Sequence, residues 1–230
     1  MSESLIVYKA NDHLEASSCL SNLVINDIDN SKKESYSIGL SGGNTPKIAY
    51  SMLGSDIKDL SKITFWTVDD RWLPKEDDNS NQKLINSFFS NSSAKVLEFE
   101  YSSSTSSKDA NDYSNKLQEN IKEFDTVILG IGEDGHIASL FPGTTAVDND
   151  TDLYVSNEVN IITKWRVTAT YKLLTQVSTV YFLVTGENKK EILTTILNDG
   201  KTPANKLIND RSETIPVSYT HLTLPTIYSV

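Results

Sequence analysis

Asp134 and His136 lie in the sequence GEDGH, residues 132–136, directly after an apolar run. That run, VILGI at residues 127–131, is rich in β-branched side chains and predicts a buried strand of a parallel sheet. Glycine lets the backbone turn sharply, so both side chains reach the carboxyl end of the strand, where open α/β sheets bind ligands. His136 is a candidate general base, because a neutral imidazole can take a proton from water. Asp134 either orients the imidazole or shapes the turn; a solvated histidine in an ordinary turn is the alternative.

A second stretch, SGGNTP at residues 41–46, follows a predicted strand and precedes a predicted helix. The first amides of a helix have no partner within it, and glycines allow a ligand to approach closely, so this turn predicts a phosphate cradle. We expect Asn44 and Thr45 to cap the helix and Pro46 to lie in its first turn. The alternative is a capped turn without a ligand. The amides assigned to the cradle are those of Gly42, Gly43, Asn44 and Thr45.

Three cations follow or adjoin other predicted strands and could meet an anion at the same edge of the sheet. Arg71 lies in DDRWLP, Arg166 in WRVT and Lys189 in VTGENKK. Taken singly, each is an ordinary solvated charge, and the stretch around Arg71 also fits an exposed loop with a local ion pair.

The elements that position these residues alternate between strand and helix, which predicts βαβ units. The fold class is therefore α/β, a single domain with a mostly parallel twisted sheet and helices on both faces, as in Rossmann-like folds. The 230 residues suit one such domain. Strands are predicted at 5–8, 36–40, 63–68, 96–99, 127–131, 153–155, 167–171 and 180–184, and helices at 12–28, 109–121 and 189–197, with further helices after 46 and 80.

The end of the chain departs from this pattern. Residues 214–230, TIPVSYTHLTLPTIYSV, carry no Lys, Arg, Asp or Glu and contain two prolines. We assign residues 1–213 to the α/β domain and hypothesise that the atypical tail 214–230 is not native to the fold.

Composition and charge narrow the classes of partner. A net charge of −10 and a pI near 4.8 argue against nucleic acid and against anionic membranes, because both need a broad basic face. The single cysteine permits no intrachain disulfide, and no segment approaches the ~18 apolar residues of a membrane span. We expect a cytoplasmic protein; monomer and homodimer are both left open.

Five stretches together carry a family resemblance: LSGGNTP (40–46), DDRWLP (69–74) with the following Ser80 and Asn81, LGIGEDGHIASLFPG (129–143), WRVT around Arg166, and VTGENKK (184–190). In this order they resemble the 6-phosphogluconolactonase family, within the superfamily of glucosamine- and galactosamine-6-phosphate isomerases. The resemblance implies hydrolysis of 6-phospho-D-glucono-1,5-lactone to 6-phospho-D-gluconate in the oxidative pentose phosphate pathway, with no metal and no cofactor.

In this interpretation His136 activates water, and the 6-phosphate binds the cradle amides, Arg166 and Lys189. Arg71 orients the sugar or the phosphate. One alternative is a hexosamine-6-phosphate isomerase or deaminase, for which an acidic stretch resembling FNEPG is expected where SLFPG stands at 139–143. Another is a non-catalytic sugar-phosphate sensor, which would keep the cradle but lose the base.

Overall fold

Ten strands and seven α-helices alternate along the part of the chain that the computed structural model describes, residues 8–198, 200–211 and 215–219. The strands are β1 (Tyr8–Lys9), β2 (Tyr36–Leu40), β3 (Ile63–Thr67), β4 (Asp69–Arg71), β5 (Lys95–Leu97), β6 (Thr126–Leu129), β7 (Tyr154–Ile161), β8 (Thr163–Ala169), β9 (Thr179–Thr185) and β10 (Ile215–Tyr219). The helices are α1 (His13–Asn30), α2 (Lys47–Asp56), α3 (Asn81–Phe89), α4 (Ser106–Asn120), α5 (Tyr171–Leu174), α6 (Lys190–Leu197) and α7 (Pro203–Asn209).

Seven strands form one parallel sheet in the order β1-β10-β9-β6-β2-β3-β5. From β2 the chain proceeds outward through β3 to β5, and it then returns to place β6 on the other side of β2. The direction of winding therefore reverses between β2 and β6. Their carboxyl ends diverge into a crevice there, which is the position where open α/β sheets bind ligands.

Helices cover both faces of this sheet, as alternate residues of β6 show. Val127 and Leu129 are fully buried against a core that includes α4, α6 and α7. Ile128 faces the opposite core, which includes α1, α2 and α3. A strand buried on both faces has no polar side, which explains its continuous apolar sequence. The predicted fold class is confirmed.

A second sheet is antiparallel and contains β4, β8 and β7 in that order. The sequence interpretation placed residues 69–71 in a loop and so missed this sheet. Asp and Arg are uncommon in strands, and the partners of β4 lie roughly a hundred residues away, so neither propensity nor periodicity indicates the pairing. The alternative of an exposed loop around Arg71 is wrong, since Asp69 and Asp70 are both buried.

The chain termini are described in part. Residues 215–219 form β10, which pairs with β9 on one side and β1 on the other. Residues 5–7 of the predicted first strand, and residues 214 and 220–230 of the atypical tail, lie outside the described residues. The domain boundary at 213 stays a prediction. None of the described helices combines the length and apolarity that a membrane span requires.

Candidate active site

The loop after β6 folds His136 back onto Asp134. The Gly132 amide donates to the carbonyl of His136 over 2.8 Å, and the Gly135 amide donates to the carbonyl of Gly132 over 3.0 Å. A Cβ on Gly132 would lie 2.1 Å from His136 Nδ1, and Gly135 has φ of +80°. The turn therefore requires glycine at the first position for space and favours it at the second for backbone conformation.

One carboxylate oxygen holds both the backbone and the ring of His136. Asp134 Oδ1 lies 2.5 Å from Nδ1 and accepts from the His136 amide over 3.1 Å. Burial opposes ionisation of Asp134, but the hydrogen bonds and charge of His136 outweigh it and hold the pKa of Asp134 below its ordinary value. Since an ionised carboxylate can only accept, Nδ1 carries the proton of the neutral ring.

The other ring nitrogen, Nε2, makes no hydrogen bond to any residue that the structure describes. The imidazole stacks on Phe141 with centroids 4.0 Å apart, and 29% of the His136 side chain is exposed. An oriented imidazole with a free, accessible Nε2 lone pair can accept a proton from water.

The loop after β2 presents donors without partners. The amides of residues 42–45 donate to no atom of the described chain. Gly43 has φ of +92°, and a Cβ there would have no protein atom within 4 Å, so the space beside it is open. Helix α2 begins at Lys47 with Pro46 as its N-cap and no side-chain cap, so the predicted capping by Asn44 and Thr45 is wrong. The helix starts too late for either side chain to reach its first amides.

A cleft of about 100 Å³ lies at the carboxyl ends of β2, β6 and β9, and it is lined by Gly42, Thr45 and Lys189. The lysine and the free amides beside this cleft suit an anionic group. Ser41 also lines the cleft, and its buried Oγ has no hydrogen-bond partner among the described residues. Ser41 was not among the predicted site residues, although its place at the end of a strand before two glycines could have indicated it. Gly43 and Asn44 lie at the exposed tip of the loop.

Arg71 and Arg166 are direct neighbours across β4 and β8. Arg166 is 3% exposed, and burial together with the charge of Arg71 lowers its pKa. No carboxylate of the described residues forms an ion pair with either guanidinium, and both Nε atoms are buried without a partner. The charges of Asp69 and Asp70 oppose the shift in the pKa of Arg166. Like charges that face each other across two strands are nevertheless destabilising, so this pair favours an anionic ligand.

The arginine pair is partly held by backbone carbonyls. Arg166 donates to the carbonyl of Ile161 over 2.7 Å, and Arg71 donates to the carbonyl of Asn79 over 2.7 Å and to Asn81 Oδ1 over 3.1 Å. These acceptors carry no full charge. They orient the guanidinium groups while leaving their positive charge available.

Two polar residues that were not among the predicted site residues connect the predicted motifs. Asn81 donates to the carbonyl of Asp69 over 2.8 Å, and its side chain occupies the space that a Cβ on Gly42 would need. Ser139, in the segment after His136, donates to Asp69 Oδ2 over 2.6 Å. Asn81 thus contacts both the loop after β2 and strand β4, and Ser139 joins β4 to the segment after His136.

The Lys189 loop is joined to the histidine turn as well. Asn188 donates a hydrogen bond to Glu133, the residue before Asp134. The structure therefore brings the predicted residues into one region: Gly42, Thr45 and Lys189 in the cleft, Asp134 and His136 on the neighbouring turn, and Arg71 and Arg166 on the small sheet.

Comparisons with known proteins point to one family. The family model described as "Glucosamine-6-phosphate isomerases/6-phosphogluconolactonase" matches residues 11–216. A probable 6-phosphogluconolactonase of Dictyostelium discoideum is 35% identical over 201 residues, which cover 81% of this chain and 85% of that protein. A 6-phosphogluconolactonase of Thermotoga maritima is 31% identical over 186 residues, covering 75% and 80%.

Solved structures agree with the sequence relatives. The crystal structure of the Thermotoga maritima 6-phosphogluconolactonase superposes with a TM-score of 0.85 at 26% identity, covering 94% of this chain and 100% of that one. A 6-phosphogluconolactonase from Trypanosoma brucei gives a TM-score of 0.83 at 25% identity, covering 94% and 96%.

Proposed function

The chain belongs to the family of glucosamine-6-phosphate isomerases and 6-phosphogluconolactonases, and we propose from this premise that it hydrolyses 6-phospho-D-glucono-1,5-lactone to 6-phospho-D-gluconate. The observation that carries the proposal is the pairing of two turns at the reversal point of the sheet. The Asp134–His136 pair follows β6, and the loop with the free amides follows its neighbour β2. A base on one strand-end turn and an anion site on the neighbouring turn suit a substrate that has a reactive carbonyl at one end and a phosphate at the other.

In the proposed reaction His136 acts first as general base and then as general acid. Its Nε2 takes a proton from water while the water oxygen attacks C1 of the lactone, and the C1 carbonyl oxygen becomes an oxyanion. When this intermediate collapses, the bond from C1 to the ring oxygen breaks, and Nε2 returns the proton to that oxygen. Asp134 keeps Nδ1 protonated and stabilises the imidazolium formed between the two steps.

The phosphate dianion is proposed to bind the free amides of residues 42–45 together with Lys189 and Arg166, while Arg71 orients the sugar or the phosphate. Charge-assisted hydrogen bonds of this kind are the stronger ones, and the arginine pair has unused donors for them. A phosphate fixed at one end of the substrate also positions C1 at the other, which lowers the barrier by reducing the freedom of the reactants.

The hexosamine-phosphate alternative is less well supported by the segment after the turn. Phe141 stands where an acidic residue is expected for that chemistry, and its ring stacks on the imidazole of His136. The neighbouring Leu140 is fully buried. Neither side chain can transfer a proton.

The test is hydrolysis of freshly generated 6-phosphogluconolactone, followed as acid release above the spontaneous rate. Wild-type protein dialysed against EDTA should keep its full rate, since the proposed base and cations belong to the chain. Ammonia release from glucosamine 6-phosphate would instead indicate the deaminase, and tight binding without turnover would indicate a sensor. We also propose that the protein acts in the cytoplasm, which cell fractionation tests. A growth test of a strain that lacks the gene tests whether the reaction serves the pentose phosphate pathway.

A further inference from the structure

His13, the first residue of α1, reaches across to the loop after β2. Its Nε2 lies 2.8 Å from the carbonyl oxygen of Thr45, 32 residues further along the chain. A carbonyl oxygen can only accept, so Nε2 carries the proton and donates it. The start of the helix is itself held in place, because the Asp12 side chain accepts from the Glu15 amide over 2.7 Å.

Other carbonyls of the loop are also turned toward the protein. The carbonyl of Ser41 accepts from Tyr50 Oη over 2.7 Å, and that of Pro46 accepts from the Tyr50 amide over 2.9 Å. The carbonyl of Asn44 accepts from the Lys47 amide over 3.4 Å. These carbonyls are engaged within the protein, whereas the amides of residues 42–45 have no partner among the described residues.

The peptide unit between Thr45 and Pro46 differs from its neighbours. Proline has no N–H, so this unit has only its carbonyl with which to hydrogen-bond. Among the described residues, His13 is the sole donor to that carbonyl. Thr45 also lines the cleft, so a rotation of the unit would bring an acceptor oxygen beside a bound anion. The lone pairs of the Thr45 carbonyl oxygen and those of the anion would then repel each other.

We propose that His13 is a positioning residue for the anion cradle: its Nε2–H holds the Thr45 carbonyl away from the cleft and so keeps the loop selective for a phosphate monoester. This proposal rests on the proposed phosphate site. His13 does not touch the ligand, and it acts through the orientation of one peptide unit.

The experiment compares wild type with His13→Leu, His13→Gln and the control Leu14→Ala, an exposed neighbour on the same helix. Binding of inorganic phosphate is measured by calorimetry, and kcat and KM are measured on phosphorylated and unphosphorylated gluconolactone. His13→Leu removes the donor, so the phosphate Kd and the KM for the phosphorylated lactone should rise about three- to tenfold with kcat unchanged. Turnover of the unphosphorylated lactone should not change. His13→Gln retains an N–H at similar reach and should recover most of the affinity.

The outcomes separate this proposal from the proposed function. If wild type hydrolyses the lactone but His13→Leu leaves both Kd and KM unchanged, the positioning role is wrong and the lactonase stands. If no lactone is hydrolysed but His13→Leu still weakens phosphate binding, the positioning role stands without the lactonase. If His13→Leu does not fold, His13→Ala, which also lacks the donor, decides: weaker phosphate binding supports the proposal, and wild-type affinity overturns it.

Discussion

The chemistry of the site depends first on one oxygen atom, Asp134 Oδ1, which binds both the amide and the ring Nδ1 of His136. Two contacts to the same atom restrain both the backbone and the imidazole. Because the ring is held by Nδ1, the nitrogen that faces outward is the one with the lone pair. A histidine on a turn without this carboxylate would sample both tautomers.

Replacement of His136 by Asn is the most direct test at this scale. Asn keeps a polar side chain but cannot take a proton near neutral pH, so kcat should fall by ~10²–10⁴ while KM changes little. Steady-state kinetics corrected for spontaneous lactone opening measure this, and the circular dichroism spectrum checks the fold. A folded variant with most of its turnover would place the base elsewhere.

Arg166 is a buried cation that faces a second cation, Arg71, across β4 and β8. Arg166→Met removes one buried charge and retains apolar volume, and water can replace it at the carbonyl of Ile161, a half-exposed residue. We expect the ligand-free variant to melt about 2–8 °C higher than wild type, and KM for the phosphorylated lactone to rise about tenfold or more.

Differential scanning fluorimetry with and without phosphate tests both halves of this prediction. Phosphate should raise the melting temperature of wild type more than that of the variant. Equal KM values for the two proteins, or equal losses on phosphorylated and unphosphorylated lactone, would show that Arg166 does not contact the phosphate.

At the scale of elements, the loop from β2 to α2 depends on the backbone conformation of Gly43. Gly43→Val should raise KM sharply, because the added side chain would occupy the open space beside the cradle and strain a residue at φ of +92°. Gly143→Val is the matched control, since Gly143 also has positive φ and open space but lies outside the loop after β2. We expect both variants to lose a similar amount of stability. We expect KM to rise only for Gly43→Val. An unchanged KM would remove the loop from the site.

The N-terminus of α3 is held by Asp70, whose carboxylate accepts from Ser80 Oγ and from the amides of Asn81 and Gln82. Burial raises the pKa of Asp70 to about 6, although these hydrogen bonds lower it. The unfolded value is about 3.9. The folded state therefore binds the proton more tightly, and the contribution of Asp70 to stability is lost as pH rises through the window from about 4 to about 6.

Urea unfolding of wild type and Asp70→Asn at pH 4.5 and pH 7.5 isolates this contribution. The free energy of unfolding of wild type relative to the variant should be about 1–3 kcal/mol larger at the lower pH. A difference that grows with pH would mean that the hydrogen bonds to the carboxylate outweigh its burial.

At the scale of the whole molecule, the prediction concerns whether residues 214–230 contribute to the fold. Strand β10 lies between β9 and β1, so removal of residues 214–230 should expose an edge of β9, lower the melting temperature and promote association. Removal of residues 220–230 alone spares the strand. Light scattering and thermal melting of both truncations, with the full chain as reference, also establish whether the protein is a monomer or a homodimer. Equal behaviour of the two truncations would support a tail foreign to the fold from residue 214 onward.

Much of this protein is predictable from sequence because the determining signals are local. Apolar runs that end in glycine turns indicate the strands β2 and β6, and their alternation with amphipathic helices determines a parallel sheet covered on both faces. The chemistry of Asp134 and His136 depends on residues two positions apart, so a single turn contains it. The cap of α3 is local as well, since the Ser80 side chain accepts from the Lys83 amide three residues later.

Only the tertiary structure determines which of these local pieces meet. The contact of Arg71 with Arg166 depends on a strand pairing between distant segments, and an arginine in a short polar strand has no periodic signal. The role of Asn81 depends on the space left by Gly42, and that of His13 on the packing of α1 beside the loop after β2. Such long-range contacts are selected by burial and packing of the whole chain, because each pairing gains its free energy only after the elements on both sides have assembled.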